Sequence, residues 1–100
     1  MLNLLAMTTN ESLLVGMSFE NQMADDETIV SSNSNGSTTV EATDENGDPA
    51  SIIESGSMSI NGQVLQARIE EADAGIYLVS FIAATSSGNV IEAALRVSVS

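Results

Sequence analysis

The stretch VIEAALRVSVS (90–100) alternates without a break. Ile91, Ala93, Leu95, Val97 and Val99 fall on one side, with Glu92, Arg96 and Ser98 on the other. A period of two held this long fits an extended strand with one buried face. Such a strand needs neighbours for its backbone groups and a second layer for its apolar side. The chain must therefore supply more strands.

Two further segments carry the same pattern. QVLQARIE (63–70) sets Leu65, Ala67 and Ile69 against Gln66, Arg68 and Glu70, and STTVEATD (37–44) sets Val40 and Ala42 against Thr39, Glu41 and Thr43. Shorter strands are predicted at 12–19, 27–32 and 51–60. Turn residues that tolerate positive φ separate these runs, in NSNG (33–36), DENGDP (44–49), NG (61–62) and SSGN (86–89). NQMADDE (21–27) reads either as one helical turn or as a loop. At 100 residues there is room for one domain with a modest core. The expectation is an all-β sandwich of about seven antiparallel strands over residues 12–100. Residues 1–11, opening MLNLLAM, read as a flexible or partner-bound leader, with Met7 an alternative start.

The sole tyrosine lies in EEADAGIYLVSF (70–81), four residues after Asp73 and two after Gly75. A strand is expected to end near Glu70, Asp73 and Gly75 to shape a turn, and Tyr77 to open the next strand. Asp-x-Gly-x-Tyr resembles the tyrosine corner of immunoglobulin-like domains, where the hydroxyl bonds a backbone group upstream and closes a crossing between sheets. The resemblance implies an immunoglobulin-like sandwich and gives Asp73, Gly75 and Tyr77 a structural role. Val79 stands where antibody domains have cysteine, and the chain has neither Cys nor Trp, so no disulfide belongs to this sandwich.

Charge narrows the function classes. Fourteen carboxylates face two Arg, with no Lys and no His, for a net charge of −12. Such a chain does not neutralise phosphates, so nucleic acid is not an expected partner, and anionic membranes repel it. The opening segment lacks the basic flank of a signal peptide, and no stretch reaches the roughly 20 apolar residues of a membrane span. A soluble chain is expected.

Catalysis finds little footing. Serine is abundant, but no His or Lys is present to serve as its base. Asp44, Glu45 and Asp48 in DENGDP are spaced partly like a cation loop, yet Gly47 falls out of phase and the closing Glu is missing. A hairpin turn around Asn46-Gly47 accounts for the same residues. The acidic groups Asp25, Asp26, Glu27 and Glu70, Glu71, Asp73 read as solvated turns. The expectation is no enzyme, no cofactor and no metal.

The most apolar run suggests a partner surface. With Tyr77, Val79, Phe81 and Ala83 inward, alternation turns Ile76, Leu78, Ile82 and Ala84 outward. Large aliphatics are unusual on a wet face. A loop or the N-terminal segment covers them, or a partner does. Ile76, Leu78 and Ile82, with Leu2, Leu4 and Leu5 of the leader, are the interface candidates. Most of the chain also resembles small tailed-bacteriophage virion proteins of the fibre-tail adaptor kind. The matching positions are Asp26, Thr28, Ile29, Gly75, Tyr77, Val79, Gly88, Glu92 and Arg96. That resemblance implies an adaptor joining fibre or spike to the tail, present in symmetric copies on the virion and contacting tail, fibre or capsid subunits. A capsid decoration protein is the first alternative. A bacterial surface adhesion or carbohydrate-binding module is the second.

Overall fold

The computed structural model describes residues 3–100, and over these the chain is all-β, apart from one short 3-10 turn at Glu20–Gln22. The larger sheet is built on β9 (Gly75–Thr85) and β10 (Val90–Val99), an antiparallel pair in register from Gly75↔Val99 to Ala84↔Val90. On the far side of β10, β1 (Asn3–Met7) runs parallel to it, from Asn3↔Leu95 to Met7↔Val99. The other flank of β9 is shared by β3 (Ile29–Val30) and β6 (Thr39–Asp44). The second sheet has the order β2 (Leu13–Ser18), β8 (Val64–Ile69), β7 (Ser59–Asn61), all antiparallel. A small hairpin, β4 (Ser32–Asn33) with β5 (Gly36–Ser37), stands apart.

Both sheets turn their apolar faces to one core. Val79, Phe81 and Ala83 of β9, Val97 and Val99 of β10, and Leu65 and Ile69 of β8 meet there with Met17, Phe19, Ile29, Ala42 and Ile52. Phe19 and Phe81 are the largest fully buried side chains. Each such aromatic or aliphatic group contributes about 1.5–3 kcal/mol on leaving water, which offsets part of the entropy lost on ordering the chain. Thr38 splices the two short partners of β9. Its hydroxyl donates to Val30 C=O and accepts Ala84 N–H, so the ladder continues where β3 stops and β6 begins.

Three expectations are corrected. Within the leader, Asn3–Met7 form a strand: Leu5 packs on the core, Met7 is buried, and Ser100 N–H to Met7 C=O with Thr9 N–H to Ser100 C=O extends the ladder. The cause is that β10 has a second edge to satisfy, and the alternation of Leu5 and Met7 fits it. Segment 51–60 is not one strand. Ile53 bridges Ile69, then Gly56 takes φ +76° in a turn where Ser57 N–H bonds Glu54 C=O, and pairing resumes at Ser59. Segment 27–32 keeps only Ile29–Val30 on β9, because the chain leaves that sheet to form the β4–β5 hairpin.

Candidate docking face

The outer side of the larger sheet is set by alternation along β9. Ile76 is 43% exposed and Leu78 37%, while Ile82 is half-buried. Register brings Ser98, Arg96 and Glu92 of β10 beside them, and Thr43, Glu41 and Thr39 of β6 on the other flank. β1 adds Leu4, which lies opposite Arg96 and is 69% exposed. One row across the sheet therefore reads Leu4, Arg96, Leu78, Thr43, and the next reads Ala6, Ser98, Ile76. Three exposed aliphatics, Leu4, Ile76 and Leu78, thus share this face with Arg96, which lies in register between Leu4 and Leu78. Among the described residues the one ion pair is Arg68–Glu54 at 4.0 Å, so Arg96 takes no part in one.

Not every candidate lies on this face. Leu5 is one residue out of phase with Leu4 and packs against the core. Leu2 lies outside the described residues. Ala84 has outward parity but is fully buried, because the β4–β5 hairpin folds over that end of β9. Asn33 Nδ2 donates to Thr85 C=O and Asn89 C=O, both at 3.0 Å, and Asn35 Nδ2 donates to Gly88 C=O at 2.7 Å. Gly36 approaches so closely that an added Cβ would sit 3.1 Å from Val90 Cγ2. On the larger sheet the exposed large hydrophobics are thus Leu4, Ile76 and Leu78 at one end and Val90 beside the hairpin, while Leu14 and Met58 are exposed on the side of the smaller sheet.

At that end Tyr77 Oη donates to Asp73 C=O at 2.8 Å. The ring is half-buried against the core, and Asp73 contributes its carbonyl rather than its carboxylate. Gly75, between them, takes φ +154°, a backbone that L side chains rarely adopt. Beside the tyrosine is an open hollow of about 460 Å³ bordered by Asp44, Ser51 and Glu71. Asp44 is committed to its own turn. Its Oδ1 accepts Asn46 N–H at 2.9 Å and Asp48 N–H at 3.1 Å, with Gly47 at φ +83°. Among the described residues, no three acidic side chains converge as ligands for a metal.

The acidic triplet 25–27 divides. Asp25 and Asp26 are exposed as expected of a turn, but Glu27 is buried at the far end of the molecule. The Thr85 hydroxyl, foremost, and Ala24 N–H hold its carboxylate below the usual range, with Ser87 and Asn89 adding to this while burial opposes it. Gln63 Nε2 ties the same turn by donating to Ala24 C=O and Glu27 C=O, both at 2.9 Å. The network is fully satisfied and internal, so it reads as a clasp between the 24–28 turn and the β9–β10 hairpin. The sequence offered one sign of it, a carboxylate directly before the apolar strand start at Thr28-Ile29. Compared with known protein families and with curated proteins, the chain matches none.

Proposed function

We propose that this chain is a non-enzymatic structural protein of a tailed-bacteriophage virion, an adaptor that joins a fibre or spike to the tail. The observation that carries the proposal is the wet apolar patch of Leu4, Ile76 and Leu78 on the outer side of the larger sheet. Leaving such groups in water forgoes about 1.5–3 kcal/mol of burial for each large aliphatic. Docking on a neighbouring subunit recovers it, and repetition of the contact builds a symmetric assembly. Arg96, in register between Leu4 and Leu78, gives the contact its orientation.

We further infer an immunoglobulin-like sandwich. Its supports are the order β1-β10-β9-β6 facing β2-β8-β7, the parallel pairing of β1 with β10, and the Tyr77–Asp73 bond. With β3 as a short extra partner of β9, these strands support the reading of an immunoglobulin-like sandwich. The lack of His, Lys and Cys throughout the chain supports a passive role.

Replacing Ile76 and Leu78 together by Ser tests the proposal. The half-buried Ile82 is left intact so that only the exposed part of the face is changed. Expected is a folded protein that no longer enters assembled particles, with the wild type located at the tail by labelling. Normal incorporation of the double variant would overturn the docking face, and a label spread over the capsid would overturn the adaptor role.

A further inference from the structure

We propose that the open flank of β6 is a second docking site, which takes an extended segment of a partner chain in which apolar and basic residues alternate. β6 pairs with β9 on one side only. On its other side, Ala50 N–H donates to Ala42 C=O at 2.9 Å and Asp44 N–H donates to Asp48 C=O at 2.9 Å, closing that end. Backbone groups along a strand alternate in direction with a period of two. Val40, two residues before Ala42, therefore directs its N–H and C=O the same way, where no strand meets them.

Those groups overlook a groove between β6 and residues 50–58. Two adjoining hollows of about 710 and 420 Å³ form it, with Val40, Ile53 and Ser55 common to both. Val40, Ala42 and Ile53 make an apolar floor, and Met58, 39% exposed, stands at the far end. The rim is acidic. Glu41, Glu54 and Glu70 are all exposed along it, and only Glu54 has a cation nearby, Arg68 at 4.0 Å.

An edge of this kind accepts an added strand, with main-chain bonds giving affinity and alternate side chains giving specificity. Protein edges are normally guarded by charged side chains, proline, a bulge or a covering loop; here the loop bonds reach only to Ala42, and over Thr39–Glu41 the one guard is a carboxylate. That charge, Glu41, chooses the occupant. It repels an acidic strand, including a second copy of this chain at net charge −12, and attracts a cationic one. The alternation follows from the pleat: residues of the incoming strand in phase with Val40 and Ala42 meet Ile53 and Met58, while those in phase with Glu41 meet the carboxylates. The site adjoins the Ile76–Leu78 patch through Glu41 and Thr43 but uses neither Ile76 nor Leu78, and it does not rest on the virion reading.

The test uses the isolated protein labelled with ¹⁵N and the capped peptide Lys-Val-Lys-Val-Lys, with Glu-Val-Glu-Val-Glu as control. Expected are saturable shifts of the Val40 and Ala42 amides with the lysine peptide and none with the glutamate peptide. The variant carrying Glu41→Lys and Glu70→Lys should bind the lysine peptide about tenfold more weakly. Absence of binding, shifts confined to β10 and β1, or equal binding of both peptides would each overturn the proposal.

Discussion

Tyr77 and Asp73 are joined by a hydrogen bond of 2.8 Å from phenol to backbone carbonyl, across the turn that delivers the chain into β9. The bond is exposed, so water can replace the lost partner in a variant. Tyr77→Phe is expected to cost about 0.5–1.5 kcal/mol, the net worth of an ordinary hydrogen bond, rather than the larger penalty of an orphaned buried group. Urea unfolding measures it, and an unchanged midpoint would deny the bond any role.

Thr38 is the contrasting case. Its hydroxyl is buried and serves both Val30 C=O and Ala84 N–H. Thr38→Val keeps the shape and removes both bonds. The expected loss is about 1–3 kcal/mol, larger than at Tyr77 because the Ala84 N–H left behind is buried. Amide exchange at Ala84 should accelerate in the same variant.

Glu27 gives the molecule a pH-dependent contribution. Because hydrogen bonds lower its pKa on folding, the ionised form is favoured in the native state. That stabilisation is complete above the ordinary value of 4.5 and is lost as pH falls through the native value. The stability difference between wild type and Glu27→Gln should be constant near neutrality and narrow in acid. A difference that stays flat as the pH drops would contradict the assignment.

Salt should stabilise the protein. With 14 carboxylates against two Arg and one weak exposed ion pair, repulsion dominates the surface. Screening over moderate NaCl therefore raises the melting temperature. A falling melting temperature would mean that attractive pairs outweigh repulsion.

How much of this was legible in the sequence varied with the reach of each contact. β6, β8 and β10 could be read to within two residues at each end, because a half-buried strand writes its environment into its own alternation. β9 was harder, since its outer residues include Ala84, whose burial depends on a hairpin from a distant part of the chain. Leu4 and Leu5 looked alike as members of an apolar leader, and only pairing with β10 separates the wet one from the packed one. The exposure of Ile76 and Leu78 follows from local parity. The burial of Glu27 does not, because the groups that accommodate it, Thr85, Ser87 and Asn89, come from the opposite half of the chain.

The parallel pairing of β1 with β10 also determines how the molecule bears tension. The chain enters β1 at the Leu95 end of that ladder and leaves β10 at the Val99 end. A pull between the two exits runs along the strands, so the load falls on all the inter-strand bonds from Asn3 to Met7 at once instead of peeling them singly. Antiparallel terminal strands with adjacent exits would open like a zip. This arrangement resists as a shear joint, and the force it withstands is governed by the barrier to breaking that ladder rather than by overall stability.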